Sequence, residues 1–177
     1  MSAEPFSHPV LVADIPAGGR HYRLSADADE RSAVAELLGI PSVESLMAEI
    51  EVRPVAGHAY SIRGTLAASV VQTDVVTLDP VSQEVAETID VTLIPANPPS
   101  SRRKSTEVLV DAGDEDTPDV FHNGRIDLGV IVREHLALGL DPYPRAPGVD
   151  FPGHVEDDPQ ADPSPFAVLA KLSERGE

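Results

Sequence analysis

The triplet Gln72-Thr73-Asp74 interrupts an otherwise apolar stretch, VVQTDVV at residues 70–76. Valines favour strands, because a branched Cβ fits the pleated surface of a sheet. An amide, a hydroxyl and a carboxylate in succession instead favour a turn, or supply the polar groups of a binding site. The pattern predicts either a strand-to-turn corner or a contact surface, and it leaves both readings open.

Histidines and carboxylates are the other groups that could perform catalysis or hold a metal. The histidines are scattered at positions 8, 21, 58, 122, 135 and 154, and the chain has no cysteine. Thiolate nucleophiles, disulfides and cysteine-based zinc sites are therefore excluded. His154 lies among acids in a proline-rich stretch, where ordering a metal cage would cost entropy. We expect no catalytic residue, no cofactor, no metal and no enzymatic activity.

Two cationic features could contact a partner. Arg102, Arg103 and Lys104 form a basic run that could reach RNA phosphates, although three charges in a loop are commonly just solvated. Arg125 lies two residues before Asp127, a predicted helix cap, and its guanidinium would pair with an acid of the sheet or face a partner.

The chain is strongly acidic, with 30 Asp and Glu against 13 Lys and Arg and a formal net charge of −17. Residues 1–110 carry 8 − 15 = −7 and residues 111–177 carry 5 − 15 = −10. Nucleic acid is repelled at long range by such a charge, whereas a basic protein is attracted; solubility alone is the simpler explanation. The first ten residues lack a basic and an apolar leader region, and no apolar run is long enough to span a membrane, so a cytoplasmic protein is expected.

Alternating apolar residues predict the sheet. Residues 6–15 and 20–26 are predicted as short strands, and residues 46–53, 60–70 and 83–94 as an antiparallel meander with one solvated face. Asp27 with Glu30 predicts a capping box that begins a helix ending at Gly39.

The second half of the chain is predicted to be less regular. Residues 95–125 are expected to form a loop, and Asp127 to cap a second helix over 128–140. From Gly148 the acidic, proline-rich composition predicts a disordered tail. The final PFAVLAKL is apolar, and Phe166, Leu169 and Leu172 share a helical spacing, so this segment docks onto its own domain or onto a partner.

These elements predict an α+β protein. We expect a curled or barrel-like antiparallel sheet of about five or six strands with two helices against one face, formed by residues 1–147 as a single domain. Residues 148–177 then form the acidic tail.

Four segments together resemble the YceD family of large ribosomal RNA subunit accumulation proteins. They are VESLMAEIEVRP (43–54), VVQTDVVTLDPV (70–81), GRIDLGVIVREHLALGLDPYPR (124–145) and PFAVLAKL (165–172). Many members of that family carry a C-x-x-C pair where this chain has Val71 and Asp74, so the resemblance gives no reason to expect zinc here.

The resemblance implies a ribosome biogenesis factor that supports accumulation of the large-subunit (23S) ribosomal RNA. We expect a non-enzymatic protein acting through a basic ribosomal protein or the pre-ribosomal large subunit, with direct RNA contact disfavoured by the net charge. The alternative is a small module that binds RNA or a small ligand on its sheet face. The predicted partner-binding residues are Gln72, Thr73, Asp74, Arg102, Arg103, Lys104, Arg125, Phe166, Leu169 and Leu172.

Overall fold

The computed structural model describes residues 5–96 and 119–148. Seven strands and two α-helices follow one another along these residues. They are β1 (Pro9–Leu11), β2 (Arg20–Ser25), α1 (Ala28–Leu38), β3 (Ser42–Pro54), β4 (Tyr60–Thr73), β5 (Pro80–Pro95), β6 (Asp119–Phe121), β7 (Arg125–Asp127) and α2 (Leu128–Gly139). The predicted α+β class is confirmed.

The predicted meander is confirmed. Strands β2, β3, β4 and β5 pair antiparallel in that order. Their apolar residues alternate as predicted: Leu46, Ile50, Ile62, Val70 and Ile89 are buried, whereas their neighbours in sequence are mostly exposed or half-buried. One face of the sheet therefore supplies the core and the other faces solvent.

Both helices begin and end for the reasons expected. The side chain of Asp27 accepts from the backbone N–H of Glu30, and the side chain of Glu30 accepts from that of Asp27, so the capping box is complete. Gly39 ends α1 with φ of 66°, a left-handed conformation that glycine adopts without steric cost. α1 packs on β3, and α2 packs on β5, β4 and β1.

Three expectations about the sheet are wrong. It is not closed into a barrel: β2 and β6 are its two edges. It is not wholly antiparallel, because β6 pairs parallel with β5, with Leu93 opposite Asp119. The predicted first strand, 6–15, shortens to β1 and a 3-10 turn at Val12–Asp14, and β1 pairs with β7 in a separate two-stranded sheet.

The predicted loop over 95–125 contains β6 and the first residue of β7. Each of these strands has three residues, too few to show an alternation in the sequence. Both nevertheless contribute to the core, through Phe121 and Ile126.

The compact unit that contains the sheet ends at Ala146. Only Pro147 and Gly148 of the following unit are described, so the predicted tail, with its terminal apolar segment, lies outside the described residues. Neither described helix is long and apolar enough to cross a membrane.

Candidate functional site

Asp74 occupies the corner where β4 ends and the connection to β5 begins. It is 0 % exposed. One carboxylate oxygen, Oδ1, accepts from the backbone N–H groups of Val76 at 2.7 Å and Thr77 at 2.9 Å. The other, Oδ2, accepts from the N–H of Ala146 at 2.7 Å, a residue 72 positions further along the chain. The side chain thus closes its own turn and fixes the segment that follows α2.

The backbone reinforces this corner, which we define as residues 74–79. Asp74 donates to the carbonyl of Asp79 at 2.8 Å and accepts from the N–H of Leu78 at 3.0 Å. Val75 donates to the carbonyl of Pro144 at 3.0 Å. The corner is therefore closed on itself and joined to residues 139–146, which we call the strap.

Two glutamines extend the junction along β4 and β5. Gln72 is buried, and its Nε2 donates to the carbonyl of Asp141 at 3.0 Å. The Nε2 of Gln83 donates to the carbonyl of Gly139 at 2.9 Å, and its Oε1 accepts from the N–H of Asp141 at 3.1 Å. Side chains from two strands and the corner thus satisfy the carbonyl of Gly139 at the end of α2 and backbone groups of Asp141 and Ala146 in the strap.

These hydrogen bonds lower the pKa of the Asp74 carboxyl below its ordinary value of 3.8. The N–H of Ala146 contributes most, followed by those of Thr77 and Val76, and burial opposes them. Each N–H stabilises the charged form, since a carboxylate is a better acceptor than a carboxylic acid. Asp74 is therefore ionised at neutral pH although it is buried.

The corner and the strap expose three large apolar side chains. Leu78 is 75 % exposed, Tyr143 of the strap is 73 % exposed, and Val75 is also exposed. Leu78 has φ of 64°, which a residue with a branched side chain seldom adopts. Polar groups are buried and apolar groups face solvent, the reverse of an ordinary surface turn.

The three residues of the predicted triplet therefore lie in different environments. Gln72 and Asp74 are buried and hydrogen bonded within the chain, and only Thr73 is exposed. The triplet is the strand-to-turn corner that the sequence allowed. Whether a partner contacts its surface stays a prediction.

Arg125 lies elsewhere, at the start of β7. Asn123 and Gly124 have φ of 53° and 66°, and Arg125 donates to the carbonyl of His122 at 3.0 Å, as in a two-residue turn of the primed type. The turn leaves the Arg125 side chain exposed, opposite Leu11 of β1.

The remaining predicted partner residues lie outside the described residues. They are Arg102, Arg103, Lys104, Phe166, Leu169 and Leu172.

The strap and the turn before β7 were not predicted from the sequence. The Asn123-Gly124 dipeptide was the available signal for the turn, because both residues tolerate positive φ. Asp141-Pro142 marked the end of α2, but no pattern in the sequence connects the strap to Asp74.

Within the two described ranges, no group of three or more His, Asp or Glu side chains is placed to hold a metal ion. Charged side chains on the solvated face of the sheet pair with one another instead, either across strands or within β3. Arg23 lies 2.7 Å from Glu49, Arg53 lies 2.7 Å from Glu51, and Arg63 lies 3.2 Å from Asp90.

The described residues thus define an α+β protein built on an open mixed sheet, with a buried hydrogen-bonded corner in place of a free polar loop. A family model described as the large ribosomal RNA subunit accumulation protein YceD matches residues 62–173. Because this is more than half of the 177 residues, the chain belongs to the YceD family. The resemblance drawn from the four segments is confirmed, although the first of them, 43–54, precedes the matched range. No curated protein and no solved structure matches the chain.

Proposed function

We propose that this protein is a ribosome biogenesis factor that supports accumulation of the large-subunit (23S) ribosomal RNA. The observation that supports the proposal is the family match over residues 62–173, whose description names large ribosomal RNA subunit accumulation. The protein acts in the cytoplasm as a non-enzymatic assembly factor.

The direct partner in this proposal is a basic ribosomal protein, met free or on the pre-ribosomal large subunit. Residues 111–177 carry 5 − 15 = −10, a charge that speeds encounter with a cationic surface. Burial of Phe166, Leu169 and Leu172 would then slow dissociation, since affinity differences arise mostly in the rate of release.

The exposed apolar surface of the corner supports a protein partner as well. Leu78 and Tyr143 are large, largely exposed and held on a corner stiffened by the Asp74 carboxylate. Rigid apolar and aromatic side chains of this kind anchor protein interfaces. The alternative of a small-ligand site on the sheet face has no comparable observation in its favour among the described residues.

Deleting residues 150–177 tests the role of the tail. We expect the deleted protein to leave the large-subunit fractions of a sucrose gradient while its melting temperature does not fall. A lower melting temperature with association intact would contradict the proposal, because the tail would then dock onto its own domain.

A second pair of variants tests the corner surface in a strain that lacks the native gene. Leu78→Ser combined with Tyr143→Ser is expected to reduce association and 23S accumulation. Leu37→Ser, at a residue of α1 that is 56 % exposed, is the matched control and is expected to behave as the native protein. Equal effects of the two would assign the loss to general surface change.

A further inference from the structure

A groove of about 560 Å³ lies beside β2, one of the two edge strands of the main sheet, and is also lined by residues of β1 and β7. We call it the cationic groove. Its charged and aromatic lining consists of His8, Asp14, Arg20, His21, Tyr22, Arg23 and Arg125.

The sign of its charge is opposite to that of the chain. The described residues hold eight arginines, no lysine and seventeen Asp and Glu, which gives 8 − 17 = −9. Three of those arginines line the cationic groove, whereas Asp14 is its one lining carboxylate. The lining therefore carries 3 − 1 = +2, and Glu49, which lies 2.7 Å from Arg23, lowers the local sum to +1. Charges beyond about 8 Å are screened at physiological salt, so an anion in the groove meets mainly these nearby groups.

Two of the guanidinium groups have no carboxylate partner among the described residues. Arg20 donates to the main-chain carbonyl of Asp14 at 3.4 Å and lies 5.9 Å from the ring centre of Tyr22. Arg125 is held by the Asn123-Gly124 turn, and its side chain makes no ion pair or hydrogen bond with any described residue. Both can turn their donors toward an anion without breaking an ion pair.

Arg23 is a third donor that is easily recruited. Its contact with Glu49 is an exposed ion pair, with the Arg23 side chain 81 % exposed. Exposed pairs contribute little to stability, so exchanging the carboxylate for another anion costs little.

Aromatic rings share the groove with these cations. The rings of His8 and Tyr22 meet edge to face with centroids 6.1 Å apart, and both line the cationic groove. The Tyr22 hydroxyl is buried and has no hydrogen-bond partner within residues 5–96 and 119–148. Arginines interleaved with aromatic rings along an open strand edge are typical of proteins that hold single-stranded nucleic acid, with phosphates on the cations and bases on the rings.

We propose that the cationic groove binds the phosphate backbone of single-stranded RNA, with Arg20 and Arg125 as its principal phosphate contacts. The inference that the groove binds a polyanion rests on the geometry, and the choice of RNA among polyanions rests on the proposed function. Direct RNA contact then complements the protein partner, and the acidic remainder of the chain keeps the RNA from binding elsewhere on its surface.

Fluorescence anisotropy of the full chain with a labelled single-stranded RNA of about 16 nucleotides tests the proposal. The double variant Arg20→Ala/Arg125→Ala is expected to bind about tenfold more weakly, with the slope of log K against log salt smaller by about 1.4, or about 0.7 per lost contact. Arg53→Ala/Arg63→Ala removes the same charge from the solvated sheet face and is expected to bind as the native chain.

Arg20→Lys/Arg125→Lys keeps both charges and is expected to retain the native slope, and thermal melting of each variant verifies folding.

The proposal is wrong if the native chain binds no RNA, or if the two alanine pairs behave alike. It is also wrong if replacing Arg102, Arg103 and Lys104 abolishes binding while the groove variant retains it. Polyglutamate binding as tightly as the RNA, with the same loss in the groove variant, would reassign the groove to an acidic protein. None of these outcomes bears on gradient association, which tests the proposed function separately.

Discussion

Asp74 shows how one residue can carry two distant structural roles. Its carboxylate holds a turn of its own strand and a segment 72 residues away. Replacing it by alanine leaves three N–H donors without their acceptor, and buried unpaired donors are costly. Asp74 therefore holds the corner in place, and the position of the exposed Leu78 depends on it.

The lowered pKa of Asp74 makes this role pH-dependent. Its stabilising contribution is complete above the ordinary pKa of 3.8 and is lost as the pH falls toward the lower pKa of the folded state. We expect Asp74→Asn to lower the melting temperature clearly at about pH 7 and less at about pH 3, where the carboxyl of the unfolded chain is mostly protonated and the contribution of the native carboxylate shrinks.

Asp79→Asn is the control for this comparison, since Asp79 is an exposed residue of the same corner. The variant should melt close to the native protein at both pH values. A difference between native and Asp74→Asn protein that stays constant with pH would contradict the assigned role.

At the scale of residues, the position of the corner could be predicted from the sequence, but the burial of Asp74 could not. Three polar residues between valine pairs predict a turn from neighbours alone. The burial of Asp74 depends on Ala146, and periodicity carries no information about a partner 72 positions away.

Among the elements, α2 organises the chain that precedes the sheet. Its cap, Asp127, accepts from Gly129 at 2.9 Å and Val130 at 3.3 Å within the helix. The same carboxylate accepts from the N–H of His8 at 2.8 Å and the hydroxyl of Ser7 at 2.5 Å. A helix cap thus also fixes the N-terminal segment.

Asp127→Ala is expected to lower the free energy of unfolding by roughly 1–2 kcal/mol, the upper part of the range for a lost helix cap, because the contact with His8 is lost too. Urea denaturation measures this. Asp127→Asn keeps an acceptor oxygen and should lose much less; an equal loss in both variants would indicate that the charge, rather than the cap, is responsible.

Gly129 lies in the first turn of α2 where the N-terminal segment crosses it. A Cβ there would overlap the carbonyl of Phe6 and lie 3.0 Å from the backbone nitrogen of His8. At an exposed position inside a helix, replacing glycine by alanine raises the free energy of unfolding by about 1 kcal/mol. We expect Gly129→Ala to lower the melting temperature instead, because backbone cannot yield as a flexible side chain can.

Gly18→Ala provides the comparison, since a Cβ at Gly18 meets nothing within 4 Å. Its melting temperature should stay near that of the native protein. Stabilisation by Gly129→Ala would show that the segment around Phe6 does not lie against α2 in solution.

Long elements were predictable and short ones were not. β3, β4 and β5 each have at least 13 residues, so their alternation is unmistakable, and a capping box marks α1 as the Asp127 cap marks α2. β1, β6 and β7 have three residues each and exist because partners distant in sequence provide their hydrogen bonds. The open, mixed sheet was not predicted for the same reason, since the parallel β5–β6 pair had no signal in the sequence.

For the whole molecule, the net charge of −17 makes stability depend on salt concentration. Like charges repel more in the compact folded chain than in the expanded unfolded chain, and salt screens that repulsion. We therefore expect the melting temperature to rise between low salt and about 0.5 M sodium chloride.

The chain without residues 150–177 carries five fewer negative charges in net terms and should show a smaller rise. A melting temperature that falls with salt would mean that the ion pairs on the sheet face outweigh the net repulsion.

The pairing of β1 with β7 also sets a schedule for folding during synthesis. Ser7 and Asp127 are 120 residues apart. At about 5–20 residues per second, the N-terminal segment is made roughly 6 to 24 seconds before its partners. The meander of β2 to β5, whose hairpins join neighbours, can form during that interval. Phe6 and Val10 meanwhile remain uncovered, so nascent chains shorter than about residue 130 are the form most exposed to proteases and chaperones.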